Sequence, residues 1–118
     1  MLEVSDYKME IMQEETFGSI ATLQVFDTEK EAIALANDNI HGLAASVWSI
    51  DVDLPKRVVR EIDAGTIWIN DWAQVNDEFE KGGFKMSGLG RPNGMAAIHN
   101  FIEYKHIFHK PDTLNDWK

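Results

Sequence analysis

Between residues 20 and 70, short apolar runs alternate with helical stretches, and this order of segments indicates the fold class. Three runs rich in β-branched, aromatic or small apolar residues are predicted strands, at 20–26, 43–48 and 66–70. The two intervals between them carry apolar residues at helical spacing. A strand, helix, strand, helix, strand order implies a parallel sheet with right-handed crossovers. We therefore predict the α/β class, built on a parallel three-layer β-α-β-α-β unit.

Both predicted helices have clear start signals. Thr28, followed three residues later by Glu31, forms a capping box in which hydroxyl and carboxylate satisfy free backbone N–H groups. Asp51 or Asp53 is expected to cap the second helix. Pro55 then falls in the first turn of that helix, where its missing N–H costs nothing.

Beyond residue 70 the character of the sequence changes. Residues 71–94 are rich in Gly, Asp, Asn and Glu and are predicted to form a long ordered loop, of the kind that is often functional. The glycine spacing in this loop is one residue too long for a dinucleotide-binding fingerprint, so tight turns explain it better. Gly65, which directly follows the second predicted helix, is expected to adopt the left-handed backbone conformation. Residues 94–101 favour a short helix, 102–109 a terminal strand and 111–118 an exposed tail.

Composition limits the environment and the partners. With 118 residues, 44% hydrophobic and 26% charged, the chain is expected to be one soluble domain with a modest core of its own. A net charge of −9 would repel a phosphate backbone, so no nucleic-acid partner is expected. No apolar run is long enough to cross a membrane, and the N-terminus lacks the features of a signal peptide. The cytoplasm is therefore the expected location.

The chain contains no cysteine. Disulfides, thiolate metal sites and a cysteine nucleophile are therefore excluded within it. His106 and His109 would point to opposite faces of the predicted terminal strand, and no metal site is expected. Considered without any relative, the residues predict a soluble α/β domain but no reaction.

Five segments carry motifs that are specific in combination. They are 14–18 (Glu-Glu-Thr-Phe-Gly), 27–38 (Asp-Thr-Glu-Lys-Glu-Ala-Ile-Ala-Leu-Ala-Asn-Asp), 42–48 (Gly-Leu-Ala-Ala-Ser-Val-Trp), 64–70 (Ala-Gly-Thr-Ile-Trp-Ile-Asn) and 82–91 (Gly-Gly-Phe-Lys-Met-Ser-Gly-Leu-Gly-Arg). In this order they resemble the C-terminal part of the aldehyde dehydrogenase superfamily, and together they span nearly the whole chain.

The resemblance implies that residues 1–101 are the C-terminal part of a catalytic domain and that residues 102–118 are an oligomerisation strand and tail. Within that segment, the strand at 102–110 would extend a sheet into a neighbouring subunit, which predicts a homo-oligomer. The implied reaction is NAD(P)-dependent oxidation of an aldehyde to a carboxylic acid through a cysteine thiohemiacetal. The catalytic cysteine, the general-base glutamate and the Rossmann domain would lie outside this chain. We therefore expect the chain alone to be inactive and to bind NAD or NADP weakly.

The resemblance also assigns individual residues. Glu15 would hydrogen-bond the nicotinamide ribose, and Phe17 would pack against the nicotinamide; a helix-end acid and a core aromatic are the structural alternatives. Asp71 and Ala73 would line the substrate tunnel on the aldehyde-pocket loop. Lys81 stands where the family often has an aromatic residue, so the substrate aldehyde is not implied.

Trp72 and the acids Asp71, Asp77 and Glu78 would suit a cationic substrate such as betaine aldehyde, but solvation of a surface loop explains the acids equally well and is preferred.

Three hypotheses for the whole chain remain open. The chain is a remnant of an aldehyde dehydrogenase that is inactive alone, a non-enzymatic self-association module, or one subunit of a split enzyme whose remaining domains another chain supplies.

Overall fold

The structure, a computed structural model, describes residues 1–111. Its regular elements are β1 (Leu2–Glu3), α1 (Glu10–Gln13), β2 (Thr22–Leu23), α2 (Glu29–Asn37), β3 (His41–Gly42), β4 (Ala44–Val47), α3 (Leu54–Val58), β5 (Thr66–Ile69), β6 (Phe84–Lys85) and a 3₁₀ helix (Met95–Asn100). The predicted α/β class is confirmed, because helices alternate with strands that pair in parallel. Among the helices of these residues, none has the length and apolar character needed to span a membrane.

The longest strand pair is the β4–α3–β5 unit that the sequence predicts. Strands β4 and β5 are parallel, in a register that runs from Ala44 opposite Thr66 to Val47 opposite Ile69. The N–H of Asn70 continues the ladder by donating to the carbonyl of Val47 at 2.9 Å. Two parallel strands need a crossover between them, and the segment that contains α3 supplies it.

The helix caps follow the predicted chemistry with small shifts. Thr28 Oγ1 accepts a hydrogen bond from the N–H of Glu31 at 3.2 Å, while the Glu31 carboxylate accepts from the N–H of Asp27 at 2.9 Å. Asp51, and not the N-cap residue Asp53, supplies the capping oxygen of α3. Its Oδ1 accepts from the N–H groups of Asp53 at 2.7 Å and Leu54 at 3.0 Å. These contacts hold the pKa of Asp51 below its usual value.

The first predicted strand is shorter than expected and pairs elsewhere. Of residues 20–26, only Thr22–Leu23 are a strand, and they pair in parallel with Leu2–Glu3 at the N-terminus. Within the described residues this pair forms a sheet separate from that of β4 and β5. Strand β1 is not predicted from the sequence, because two residues, Leu2 and Glu3, are too few to show an alternating apolar pattern.

Two expectations about the glycine-rich region are corrected. Gly65 does not have a positive φ; it is required by close packing, because a Cβ there would collide with the carbonyl oxygen of Gly82. The long loop at 71–94 is interrupted by β6, which pairs antiparallel with β3. The predicted short helix after it is present as the 3₁₀ helix Met95–Asn100.

The prediction that the chain buries a modest core of its own is wrong. Among the described residues, the buried apolar side chains are Val4, Pro55 and Val58. The radius of gyration is 22.7 Å, whereas a compact domain of this length would have about 13 Å. The apolar stripes of the helices and the sheet faces therefore remain largely open to solvent, because too few elements lie against them.

The terminal segment also departs from expectation. Residues 102–110 are not a strand in this structure and are exposed along their whole length. A strand requires a neighbour for its backbone N–H and C=O groups, and these residues have no such neighbour within 1–111. Of the predicted tail, Pro111 is exposed, and residues 112–118 lie outside the described residues.

Candidate functional site

Two open grooves lie on either side of the start of β4. The first, which we call the Glu15 groove, has a volume of about 610 Å³ and is formed by the end of α1, the end of α2 and the β3–β4 segment. The second, the Lys81 groove, has a volume of about 460 Å³ and lies between β5 and the loop at 74–82. Leu43 and Ala44 line both grooves. The fold therefore places one cofactor candidate and one substrate-loop candidate near the same short stretch of chain.

Glu15 is presented at its groove by the end of a short helix. Helix α1 stops at Gln13, and Glu14 is already extended, with φ −104° and ψ 142°. Gln13 fixes this exit, because its Nε2 donates to the carbonyls of Tyr7 at 2.9 Å and Asp38 at 3.0 Å. Glu15 is exposed, and its carboxylate accepts no hydrogen bond from another of the described residues. A free carboxylate can accept two charge-assisted hydrogen bonds from a vicinal diol such as that of a ribose.

Phe17 is not brought into the Glu15 groove. Its side chain is 91% exposed, which rules out the structural alternative of a core aromatic within residues 1–111. An exposed aromatic face two residues beyond Glu15 is available for packing against a planar ring. Phe17 is therefore exposed close to Glu15 in the chain, but it is not among the residues that line the Glu15 groove.

Asp71 and Ala73 follow β5 at its carboxyl end. Asn70 anchors the exit from β5, since its amide side chain exchanges two hydrogen bonds of 2.8 Å with the backbone of Ser49. Asp71 Oδ1 accepts from the N–H of Trp72 at 2.7 Å. Asn70 and Ala73 have positive φ values of 53° and 60°, which are uncommon for residues with a Cβ. The loop therefore leaves the sheet in a tightly specified, strained conformation, a property frequent at functional sites.

Lys81 lies on the wall of a mainly apolar groove. It lines this groove together with Trp68 and Phe79, and its backbone N–H donates to the carbonyl of Pro92 at 3.1 Å. Trp68 closes the groove from the β5 side through a 2.9 Å hydrogen bond from its Nε1 to the carbonyl of Gln74. Lys81 forms no ion pair with a carboxylate of the described residues. The wall of this groove therefore combines aromatic side chains with the cation Lys81 and the acid Glu80.

Glu80, the neighbour of Lys81, has a structural role that the sequence did not reveal. Its Oε1 accepts a hydrogen bond from the N–H of Ala96, in the first turn of the 3₁₀ helix, at 3.2 Å. The N–H groups of Glu80 itself, Ala96 and Met95 keep the pKa of this carboxyl below its usual value. Glu80 and Lys81 both line the Lys81 groove, and Glu80 in addition holds the loop to the 3₁₀ helix.

Three further residues near the site escaped sequence analysis. Asn37, Asn39 and Lys85 exchange hydrogen bonds among the end of α2, the end of α1 and the glycine-rich segment. All three lie in or next to the motif segments, but isolated polar residues give no periodic signal. Only their convergence in space identifies them.

The chain is similar to known proteins over most of its length. A sequence model described as the aldehyde dehydrogenase family matches residues 1–107. The chain belongs to the aldehyde dehydrogenase family. Betaine aldehyde dehydrogenase of Bacillus subtilis (strain 168) is 42% identical over 109 residues, which cover 91% of this chain and 22% of that protein.

Solved structures agree with this assignment. The crystal structure of betaine aldehyde dehydrogenase from Staphylococcus aureus in complex with NAD⁺ matches with a TM-score of 0.84 and 43% identity, over 89% of this chain and 21% of that one. An aldehyde dehydrogenase of Mycobacterium tuberculosis complexed with NAD⁺ matches with a TM-score of 0.78 and 42% identity, over 84% of this chain and 20% of that one. The chain thus spans about a fifth of the length of the aldehyde dehydrogenases that it matches. This explains how a well-matched fold can have so little core of its own.

Proposed function

We propose that this chain forms the part of an NAD(P)-dependent aldehyde dehydrogenase that contacts the nicotinamide end of the cofactor and frames the aldehyde pocket. The observation that carries the proposal is the Glu15 groove, which is lined by a carboxylate that no other residue of 1–111 hydrogen-bonds. Glu15 would accept hydrogen bonds from the nicotinamide ribose. Phe17 would pack against the nicotinamide ring with its exposed face.

The substrate side of the proposal rests on the loop after β5. Asp71 and Ala73 would line the aldehyde tunnel near the carboxyl end of β5, and Lys81 would form part of its wall. When bound, the dinucleotide would accept the hydride removed from the aldehyde. The 118 residues hold no cysteine, so the thiohemiacetal step needs a nucleophile from outside them. We therefore propose that the chain alone does not oxidise aldehydes and binds NAD(P) weakly.

A segment exchange tests this proposal. Residues 1–107 would replace the matching segment of the Bacillus subtilis betaine aldehyde dehydrogenase, giving what we call the exchange enzyme. We expect it to bind NAD⁺ and to oxidise an aldehyde. Glu15→Ala should raise the dissociation constant of NAD⁺ roughly tenfold, as expected for lost hydrogen bonds to a charged acceptor, when measured by calorimetry.

Glu14 supplies the matched control, because it is the adjacent acid in the same groove but does not match the ribose-binding position. Glu14→Ala should change the NAD⁺ dissociation constant less than twofold. A folded exchange enzyme that fails to bind NAD⁺, or equal losses from the two substitutions, would overturn the assignment.

A second candidate function, self-association, is favoured by the terminal segment. We propose that residues 102–110 mediate a homo-oligomer by pairing with a sheet of another subunit. Support comes from the large exposure of Tyr104, Ile107 and Phe108, which are 78%, 79% and 81% exposed. An unpaired segment with β-forming residues is prone to add to a sheet edge. The expected cytoplasmic location and the expected lack of a nucleic-acid partner stay predictions.

A further inference from the structure

The turn between α2 and β3, residues 37–41, is held by a lysine from a distant part of the chain. Lys85 Nζ donates to the carbonyl of Asn37 at 2.7 Å and to the carbonyl of Asn39 at 3.1 Å. The Asp63 carboxylate lies 3.7 Å from the same ammonium group. The last carbonyls of a helix have no intrahelical partner and carry partial negative charge, so a cation placed there is stabilising.

The opposite side of this turn is bound to the segment that presents Glu15. Asn39 Nδ2 donates to the carbonyl of Met12 at 3.0 Å, and Gln13 Nε2 donates to the carbonyl of Asp38 at 3.0 Å. The end of α1 is therefore fixed to the same short turn that Lys85 fixes from the other side. Through this turn, the end of α1 is linked to Lys85, which lies 70 positions beyond Glu15 in the chain.

The groove itself is built on these contacts. Gln13, Glu15, Asn39 and Ser87 contribute to its lining, and Ser87 Oγ accepts from the N–H of Gly42 at 2.9 Å. Lys85 is not part of this lining. Its ammonium group therefore reaches the groove through the carbonyls that it binds, while its backbone pairs with His41, which is part of the lining.

The conformation of Lys85 fits a specific role. Its φ is +52°, in the left-handed region that a residue with a Cβ rarely occupies. Its side chain is partly buried, with 24% exposed, although the residue as a whole, with its backbone, is exposed. The strain and the burial are both accounted for if the backbone must aim this ammonium group at the α2–β3 turn.

We propose that Lys85 is a positioning residue for the cofactor contact of Glu15. It holds the α2–β3 turn against the end of α1 and thereby fixes the position of Glu15. This inference rests on the proposed function of Glu15. It predicts that loss of the ammonium group impairs NAD⁺ binding even though Lys85 itself never touches the cofactor.

The test compares Lys85→Met with Lys85→Arg in the exchange enzyme. Lys85→Met nearly keeps the length of the side chain but removes the ammonium donor. We expect the KM for NAD⁺ to rise roughly tenfold, the effect of a lost charge-assisted hydrogen bond. The KM for the aldehyde should change less than twofold. Lys85→Arg keeps a charged donor and should recover most of the NAD⁺ affinity.

Lys56→Met is the matched control, because Lys56 makes an exposed ion pair with Asp53, three residues away, and should leave both KM values unchanged. A lower melting temperature for Lys85→Met with an unchanged KM for NAD⁺ would overturn the proposal, since it would show a role in stability alone.

Gln13→Ala keeps the proposal testable if Lys85→Met does not fold. It removes the contact on the other side of the turn and should likewise raise the KM for NAD⁺; an unchanged value would count against the proposal.

A parent exchange enzyme that is folded but does not bind NAD⁺ would contradict the proposed function. A parent that binds NAD⁺ while the Lys85 variants match it would contradict the role of Lys85 alone.

Discussion

The β4–β5 pair and the terminal segment 102–110 are all predicted strands, but their environments in the structure are opposite. In the first, each strand finds a neighbour in register, and most of its side chains are at least half-covered. In the second, every residue is exposed and no backbone ladder forms within the described chain. Strand-forming residues are thus not sufficient for a strand, because the neighbour that completes the ladder decides the outcome.

The same contrast explains the shape of the molecule. The segments that are well fixed, from α2 to Ser87, are tied by polar contacts and close backbone packing more than by a buried core. The remaining apolar surface is open, and the radius of gyration is 22.7 Å. A chain that spans about a fifth of its relatives' length can keep its local geometry while lacking the partners of its apolar faces.

The largest effect is expected from a substitution that disrupts the close packing in the well-fixed region between α2 and Ser87. Gly65→Ala would place a Cβ against the carbonyl of Gly82, which cannot move cheaply because it belongs to the backbone. We expect a loss of about 3 kcal/mol in the free energy of unfolding of the exchange enzyme. Chemical denaturation measures it.

Gly18 is the matched control for this substitution. A Cβ at Gly18 would meet no atom within 4 Å, so Gly18→Ala should change the unfolding free energy by no more than about 0.5 kcal/mol. Equal effects at the two glycines would refute the packing role of Gly65.

The second effect concerns the terminal segment. Ile107→Pro removes a backbone N–H that a ladder with another subunit would use, and should weaken self-association of the 118-residue chain roughly tenfold. Sedimentation velocity over a concentration series measures this. Ile107→Thr keeps the N–H and should associate more strongly than the proline variant; indistinguishable behaviour of the two would argue against ladder formation.

A smaller effect tests whether the Lys81 ammonium group faces the substrate. Lys81→Phe in the exchange enzyme removes a cation that would repel a cationic aldehyde. The ratio of kcat/KM for betaine aldehyde to that for propanal should rise roughly fivefold, equivalent to about 1 kcal/mol. Lys81→Arg retains the charge and should leave the ratio unchanged. A constant ratio in Lys81→Phe would show that Lys81 does not face the substrate.

The smallest effect is a pH dependence at Glu80. Because backbone N–H groups lower the pKa of this carboxyl in the folded chain, its stabilising contribution is present above the ordinary pKa. It is lost as the pH falls through the lowered value. Hydrogen exchange at the Ala96 amide should therefore accelerate on the acid side, after correction for the intrinsic rate. In Glu80→Gln this acid-side change should be absent, and its persistence would assign it to another group.

The features that the sequence predicts correctly are those that local signals determine. The capping pair Thr28 and Glu31 and the parallel β4–β5 pair follow from patterns within a few residues. The family follows from five motifs in order. The site residues Glu15, Phe17, Asp71, Ala73 and Lys81 stay predictions, although the structure places Glu15 and Lys81 on the two grooves.

The structural features that the sequence did not predict involve contacts between separate segments of the chain. The close approach of Gly65 to Gly82, the pairing of β6 with β3 and the bonds of Lys85 to Asn37 and Asn39 join residues that are far apart in the chain. The expected core failed for a related reason, since an amphipathic pattern shows which face wants to be buried but not whether anything covers it.

Small-angle X-ray scattering of the 118-residue chain, at concentrations where it is monomeric, most directly tests whether its apolar faces lack partners within the chain. We predict a radius of gyration near 22.7 Å. A compact particle with a value near about 13 Å would show that the chain buries a core by itself, and would contradict the dependence on partners inferred from this structure.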